Sequence, residues 1–166
     1  MGSSPTLPTS ERQSRTVVAG TVLVMRDAMI YDLDGCLCDT SSIEHLVAGD
    51  DRDFDAFHAA SADCPPRDEV AAAVRADHDA GRAVVVVSSR EFVWRDLTLT
   101  WLAEHDLPVD GLYLRVVGDR RPDTVVKGEI WDHLVEDGFR VVGAWGDRAE
   151  VLDVWRERGV DDLHHV

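Results

Sequence analysis

Two carboxylates, Asp32 and Asp34, lie two residues apart directly after the apolar run at residues 28–31. Residues i and i+2 of an extended segment point to the same side, so both carboxylates are expected to face one space, and Gly35 lets the backbone turn sharply behind them. Crowded carboxylates need either a hard divalent cation or a raised pKa on one of them, which leaves one acid as nucleophile and the other as proton donor. Asp and Gly also dominate ordinary turns, so the pair alone is equally compatible with a structural turn.

Apolar patterning along the chain predicts strands that alternate with helices. Buried strands are predicted at residues 28–33, 83–87 and 139–145, shorter ones at 112–114 and 162–166, and helices at 68–80, 92–104, 126–134 and around Val151 to Trp155. Residues 17–18 and 21–25 predict a strand or hairpin ahead of them. Such alternation implies right-handed βαβ crossovers. The predicted fold class is therefore α/β, a Rossmann-like three-layer sandwich with a mainly parallel sheet.

Further polar residues follow the predicted strands: Ser88, Ser89 and Arg90 after the second, and Asp147 after the last long one. The carboxyl ends of parallel strands share one edge of a sheet, so these residues are expected to meet Asp32 and Asp34 there. Lys127, at a predicted helix start, is the only lysine among 17 basic side chains. A compact ammonium can pair with a carboxylate and a phosphoryl oxygen together, although a helix-start lysine is more commonly just solvated.

This combination resembles the haloacid dehalogenase superfamily of aspartate-nucleophile phosphotransferases. Their pattern is a D-x-D-G loop, a strand-terminal Ser or Thr, a Lys and an acidic fourth motif, and the resemblance covers residues 28–166. Within the superfamily the chain is most similar to the 3′-phosphatase domain of phage polynucleotide kinase-phosphatases. The similarity lies in residues 84–91 (VVVVSSRE), 123–130 (DTVVKGEI), and Asp147-Arg148 with the VWR at 154–156.

The resemblance implies a role for each residue. Asp32 would attack phosphorus to form an aspartyl-phosphate, and Asp34 would protonate the leaving alcohol and then activate water, for which it needs a raised pKa. Mg²⁺ would be held by Asp32, the Asp34 main-chain carbonyl and Asp147. Lys127 would bind both Asp32 and the phosphoryl group and so fix their relative position. The phosphate would be bound by Ser88, Ser89 and Arg90, with Arg90 gripping either the phosphate or the adjoining nucleotide.

Two departures from the phage pattern bear on these expectations. The fourth motif reads Gly146-Asp147 in place of Asp-Asp, so a further acidic group is expected from Glu150 or Asp153. The kinase half is missing, because no G-x-x-x-x-G-K-[ST] loop occurs in the sequence.

Composition limits the setting in which the chain can act. A formal net charge of −15 opposes broad adhesion to nucleic acid or an anionic membrane. Three cysteines form an odd set without a disulfide framework, and no fourth ligand completes a zinc site, which favours a reducing cytoplasm. No apolar run is long enough to cross a bilayer. Residues 1–15 are predicted to be a flexible tail and residues 16–166 a single phosphatase domain.

The segments that form caps in this superfamily are short here, at residues 39–66 and 116–122, so a small insertion replaces a full cap domain. An open crevice favours a bulky 3′-phosphorylated DNA or RNA end, and the segment 115–127 adds local positive charge through Arg115, Arg120, Arg121 and Lys127. Aromatic residues of the insertion could stack on a terminal base or simply pin the insertion to the core: Phe54, Phe57 and His58.

The expected function is a magnesium-dependent 3′-phosphatase for polynucleotide ends. One alternative is a phosphatase of mononucleotides or other small phosphate esters. The other is a subunit that mainly partners a separate kinase or ligase.

Overall fold

The computed structural model describes residues 15–18 and 21–166, in which a short hairpin precedes a five-stranded sheet. Strands β1 (Arg15–Val18) and β2 (Thr21–Val24) pair antiparallel. All pairs in the sheet are parallel, in the order β5-β4-β3-β6-β7. Its strands are β3 (Arg26–Asp32), β4 (Ala83–Glu91), β5 (Gly111–Arg115), β6 (Phe139–Gly146) and β7 (Asp162–His165).

Four helices cover the two faces of the sheet. Helices α2 (Asp68–Asp79) and α3 (Arg95–Glu104) pack on one face, and α4 (Asp123–Glu136) and α5 (Ala149–Glu157) pack on the other. A further helix, α1 (Phe54–Ala60), lies in the insertion between β3 and α2. This arrangement confirms the predicted α/β three-layer sandwich, and it places β3, which leads to Asp32, at the centre of the sheet.

The valine run in β4 shows why a continuous apolar sequence forms a central strand. Side chains of a strand alternate between the two faces, so Val84 and Val86 enter the core with α2 and α3, whereas Val85 and Val87 enter the core with α4 and α5. All four are fully buried. A strand covered on both faces needs apolar residues at every position, which is the pattern that the sequence has.

Several element boundaries differ from the sequence-based expectation by a few residues, and two of these differences affect the site. Strand β4 does not end at Val87; it continues to Glu91, because Glu91 pairs with Arg115 of β5 after a shift in register. Helix α4 begins at Asp123 after Pro122, so Lys127 lies in its second turn and not at its start. The predicted tail, residues 1–15, lies outside the described residues except for Arg15, which is the first residue of β1.

The insertion after β3 is small, as predicted. It contains a 3₁₀ turn at Glu44–Val47, helix α1 and a second 3₁₀ turn at Ser61–Asp63. Phe57 of α1 is buried, and Asp53 caps the helix by accepting a hydrogen bond from the Ala56 amide at 2.8 Å. We refer to residues 39–66 as the cap segment. Within the described part of the chain, no helix has the length and apolar character needed to span a membrane.

The three cysteines are free and buried where the cap segment meets the loop after β3. Burial raises the pKa of Cys36, and it raises the pKa of Cys38 to about 12. Both thiols therefore stay protonated at neutral pH and act as packing groups.

Candidate active site

The loop after β3 is held in a tight turn by its own backbone. The Cys38 amide donates to the Leu33 carbonyl at 2.8 Å, and the Gly35 amide donates to the Cys38 carbonyl at 3.0 Å. Gly35 has a φ of +78°, a left-handed conformation that glycine adopts without strain. The turn brings the side chains of Asp32 and Asp34 to the same crevice.

Both oxygens of the Asp32 carboxylate are fixed. Oδ1 accepts a hydrogen bond from the Leu33 amide at 2.9 Å, and Oδ2 accepts one from Lys127 Nζ at 2.8 Å. Lys127 is 1% exposed and lies beneath the crevice, not in its lining. The solvated alternative for this lysine does not apply, because its ammonium is buried against the carboxylate.

Asp34 is paired with Arg90 through two hydrogen bonds. Arg90 Nη2 donates to Asp34 Oδ1 at 2.6 Å and Nε donates to Oδ2 at 2.9 Å, while Nη1 donates to Thr98 Oγ1 at 3.0 Å. The Arg90 side chain is 2% exposed and does not line the crevice. The sequence predicts that Arg90 binds the phosphate or the nucleotide; in the structure its guanidinium binds the Asp34 carboxylate and orients it.

The two serines of β4 face different partners because strand side chains alternate. Ser88 lines the crevice, and its Oγ accepts a hydrogen bond from the Arg90 amide at 3.2 Å, which leaves the hydroxyl proton for another acceptor. Ser89 also lines the crevice, but its hydroxyl donates to the Asp123 carboxylate. Ser88 is therefore the better placed of the two to donate to a bound anion.

Asp147 comes at the end of β6 and completes a cluster of carboxylates with Asp32 and Asp34. Burial, followed by repulsion from Asp32, raises the pKa of Asp147 to about 6. No ion pair to Asp147 occurs in the described part of the chain. Asp147 is thus the carboxylate of this cluster without a cationic partner among the described residues, and a carboxylate crowded by others in this way fits a hard divalent cation with oxygen ligands.

The donor set of this cluster is small. Among the described residues, no group of three or more His, Cys, Asp or Glu side chains has the geometry of a metal site. Two carboxylates and one main-chain carbonyl are nevertheless enough for an ion that keeps several of its waters. The further acidic group expected from the sequence does not come from Glu150 or Asp153, since both are exposed outside the crevice lining and face Arg148 and Arg156 respectively.

Gly35 also sets how closely Asp147 approaches the catalytic loop. A Cβ atom added to Gly35 would collide with Asp147 Oδ2 and would lie 3.0 Å from its Cγ. Gly49 has a similar φ of +75°, but a Cβ atom there would meet nothing within 4 Å. The two glycines therefore separate the effect of backbone strain from the effect of displacing Asp147.

We expect Gly35→Ala and Gly49→Ala each to lower the free energy of unfolding by about 1–2 kcal/mol, because both force alanine into a left-handed conformation. Only Gly35→Ala should also lower kcat, by about 100-fold, since it moves a carboxylate of the site. Urea denaturation and phosphate-release assays of both variants test this. Equal losses of kcat in the two variants would mean that the position of Asp147 does not matter.

Asp123, which sequence reasoning did not single out, joins several cationic and polar groups. Its carboxylate lies 3.4 Å from Lys127 Nζ, accepts a hydrogen bond from Arg115 Nη2 at 3.2 Å, and also contacts Ser89 and Arg148. Asp123 and Lys127 are four residues apart on α4, a spacing that puts them on the same side of the helix. That spacing was the signal available in the sequence.

The crevice has a volume of about 700 Å³ and is partly open to solvent. Five of the seven predicted site residues line it, and the other two, Lys127 and Arg90, contact them from beneath. One wall comes from the cap segment, joined by Trp94, which sequence reasoning also missed. The other is rich in arginine: Arg115, Arg120, Arg121 and Arg148.

His58 of the cap segment lies next to the catalytic loop. Its Nδ1 atom is 3.9 Å from Asp34 Oδ2 and has no hydrogen-bond partner, although it is buried. Burial lowers the pKa of His58 more than the nearby Asp34 raises it. The imidazole is therefore neutral at physiological pH.

Sequence comparison identifies the family to which this arrangement belongs. The profile described as the polynucleotide kinase PNKP phosphatase domain matches residues 26–164, a range that contains every site residue named above. The chain belongs to this family. No curated protein sequence matches the chain significantly.

Solved structures share the fold of this PNKP-type phosphatase domain. A chain of the Pnkp1/Rnl/Hen1 RNA repair complex is 21% identical, with a TM-score of 0.73 over 98% of this chain and 48% of that one. A chain of a second Pnkp1/Rnl/Hen1 complex is 24% identical, with a TM-score of 0.71 over 96% and 50%. The class C acid phosphatase from Bacillus anthracis with tungstate bound is 16% identical, with a TM-score of 0.60 over 76% and 54%.

The PNKP-type domain therefore spans about half the length of the two repair-complex chains that it resembles. Together, the family match and the acid-phosphatase fold support a hydrolase of the haloacid dehalogenase phosphatase type.

Proposed function

We propose that this chain is a magnesium-dependent phosphomonoesterase that removes 3′-phosphates from DNA or RNA ends. The observation that carries the proposal is the position of Asp32, held by Lys127 at the floor of an open crevice with an arginine-rich wall. Phosphoryl transfer depends on positioning and charge stabilisation more than on covalent machinery, and these groups supply both. The family match supports a polynucleotide end as the substrate.

In the first step, Asp32 attacks phosphorus and forms an aspartyl-phosphate as the P–O bond to the sugar breaks. Lys127 holds Asp32 through Oδ2 and pairs with the phosphoryl group as negative charge builds up on it. Ser88 donates its hydroxyl proton to a phosphoryl oxygen. The buried position of Lys127 keeps its charge within a few ångströms of the reacting atoms, where it is poorly screened by water.

Asp34 moves the protons in both steps. In the first it gives a proton to the leaving 3′-hydroxyl oxygen, and in the second it takes one from the water that hydrolyses the aspartyl-phosphate. The two hydrogen bonds from Arg90 hold the Asp34 carboxylate in a fixed position beside the reacting atoms in both steps.

The carboxylates of Asp32 and Asp147 and the main-chain carbonyl of Asp34 would hold Mg²⁺. When bound, the ion neutralises enough charge for an anionic nucleophile to approach an anionic phosphate. Asp147 would lose its unfavourable repulsion from Asp32 at the same time, because both carboxylates would share a cation.

A kinase or ligase partner forms part of the proposal. Residues 1–166 contain no G-x-x-x-x-G-K-[ST] motif, the loop that would bind a nucleotide for 5′-phosphorylation. The two structures of highest TM-score given above are of complexes that contain Rnl and Hen1 alongside Pnkp1. A 3′-phosphatase leaves a 3′-hydroxyl, which is the end that a ligase joins, so the two activities complement each other.

A phosphatase of mononucleotides or other small phosphate esters is the second candidate. It is favoured by the net charge of −15 and by the acidic residues Glu44, Asp55 and Glu91 in the crevice lining, all of which oppose a long polyanion.

Phosphate release from four substrates distinguishes these candidates. They are a 3′-phosphorylated oligonucleotide, the same oligonucleotide phosphorylated at its 5′ end, and a 3′- and a 5′-mononucleotide. We expect kcat/KM for the 3′-phosphorylated oligonucleotide to exceed the others by at least about tenfold, and EDTA to abolish turnover. A preference for mononucleotides would support the second candidate and contradict the first.

A further inference from the structure

The two walls of the crevice differ in chemistry. The cap segment and the 3₁₀ turn Phe92–Trp94 contribute an aromatic wall of Phe54, His58 and Trp94, with the apolar Val47 beside it. The arginine-rich wall comes from the last residue of β5, the loop between β5 and α4, and the residue before α5: Arg115, Arg120, Arg121 and Arg148. The reacting carboxylates lie on the floor between the two walls. A ligand that fills this crevice needs an apolar, flat side and an anionic side.

Phe54 is exposed in a way that packing does not explain. It is the first residue of α1 and is 55% exposed, whereas Phe57, one turn later, is 7% exposed and anchors the helix. The Phe54 ring centroid lies 6.5 Å from that of His58, which in turn lies 5.7 Å from Trp94. Phe57, which also lines the crevice, contacts His58 edge-on with the ring centroids 5.3 Å apart. His58 thus joins Phe54 and Trp94 into one supported aromatic surface facing the crevice.

The charges of the two walls fix how a nucleotide would lie. Glu44 and Asp55 of the cap segment also line the crevice and would repel a phosphate on that side. On the opposite wall, Arg121 is neutralised by Asp119 at 2.7 Å and Glu129 at 2.5 Å.

Arg115 and Arg120 differ in how far their guanidinium groups are already used. The Arg115 guanidinium donates to three main-chain carbonyls and to Asp123. Among the described residues, nothing forms a hydrogen bond or an ion pair with the Arg120 guanidinium. Arg148, the fourth arginine of this wall, pairs with Asp123 and Glu150. Arg120 is therefore the cation of this wall that is left for a ligand.

We propose that the crevice binds the terminal nucleotide of its substrate in one orientation, with the base stacked on the aromatic wall and the next phosphate of the strand beside Arg120. This inference rests on the proposed function and adds to it the recognition of the leaving group. Stacking on aromatic side chains accepts any base, so the site distinguishes nucleotides from other phosphate esters without reading sequence.

The base-binding half of the inference is tested with two 3′-phosphorylated oligonucleotides, one ending in an ordinary nucleotide and one in a tetrahydrofuran abasic residue. We expect kcat/KM to be about tenfold or more higher for the first, mainly through KM, because base stacking is lost with the second. Phe54→Ala should bring the ratio of the two kcat/KM values close to one, and Phe54→Tyr should keep this ratio at its wild-type value. Phe92→Ala is the matched control, since Phe92 is 58% exposed but does not line the crevice.

The phosphate-binding half of the inference is tested with two substrates of different length. Arg120→Gln should raise KM for a 3′-phosphorylated dinucleotide by at least about fivefold more than it raises KM for the 3′-mononucleotide, which lacks the next phosphate. Arg95→Gln is the control, because Arg95 is exposed, pairs with Asp96 and lies outside the crevice.

Two outcomes would overturn the inference: an abasic end hydrolysed as well as an ordinary one by the wild-type protein, or equal effects of Phe54→Ala and Phe92→Ala on the ratio. Failure of the proposed function has a different result, namely a preference for mononucleotides or no turnover of any 3′-phosphorylated substrate. In that case, a 5′-mononucleotide and ribose 5-phosphate, which lacks the base, replace the ordinary and the abasic oligonucleotide. Loss of discrimination in Phe54→Ala would still support the aromatic wall, and no loss would refute it.

Discussion

Asp32→Asn is expected to lower phosphate release from a 3′-phosphorylated oligonucleotide by at least about 10⁴-fold, to the background rate. The amide is a poor nucleophile and also a weaker ligand for a cation, so one substitution removes two functions. The variant should remain folded: an asparagine oxygen can still accept the hydrogen bond from the Leu33 amide, and Lys127 keeps Asp123 at 3.4 Å. Phosphate release and thermal unfolding measured on the same preparation test both expectations.

The matched control is Asp27→Asn. Asp27 lies on the same strand and pairs with Arg140 at 2.5 Å, away from the crevice. The substitution removes one carboxylate and one ion pair outside the site, so the variant should keep near wild-type turnover. Activity of Asp32→Asn close to that of Asp27→Asn would refute the assignment of Asp32 as nucleophile.

Lys127→Met should lower kcat by at least about 1000-fold and the free energy of unfolding by about 3 kcal/mol. Methionine keeps the length of the side chain but leaves Asp32 without its counter-charge, and an unpaired carboxylate in a buried position is costly. Urea denaturation and steady-state kinetics at a temperature well below the midpoint of unfolding separate the two effects.

Lys127→Arg tests whether charge alone is sufficient. A guanidinium restores the charge but is a wide planar fork where the structure holds a compact ammonium between Asp32 and Asp123. Relative to Lys127→Met, we expect Lys127→Arg to recover part of the stability and little of kcat. Wild-type kcat in Lys127→Arg would show that the shape of the cation is unimportant.

Arg82→Met is the matched control for the loss of an ion pair. It removes a 2.7 Å ion pair to Asp77 far from the crevice, so it should lower the stability without lowering kcat.

The fold and the floor of the crevice follow from local patterns in the sequence. The valine run of β4 has the period and length of a strand buried on both faces, and Asp32 follows an apolar strand that alternation places in a parallel sheet. Convergence of Asp32, Asp34, Ser88 and Asp147 at one sheet edge is a geometric result of that fold. Their chemical roles remain predictions.

The partners of Arg90 and Asp123 could not be predicted in the same way. The apolar run ends at Val87, so the sequence does not predict the strand alternation that separates Ser88 and Arg90 from Ser89; this alternation depends on pairing with β5, a long-range contact. Asp123 lies outside the predicted helix, because the apolar stripe of α4 starts at Val126, whereas the helix itself starts three residues earlier. Polar contacts between distant segments depend on the tertiary structure, and the secondary-structure propensities of the residues do not determine which side chains will meet.

Because Lys127 is buried, proteolysis at this residue can be used to measure local unfolding of the site. A lysine-specific protease has a single target in this sequence, the bond between Lys127 and Gly128, which lies within α4 below the crevice. Since a protease needs an extended, accessible segment, cleavage requires α4 to unwind and its only ammonium to leave Asp32. Cutting at this one bond therefore measures how often the site comes apart, and a bound ligand that bridges Asp32 and Lys127 should slow it.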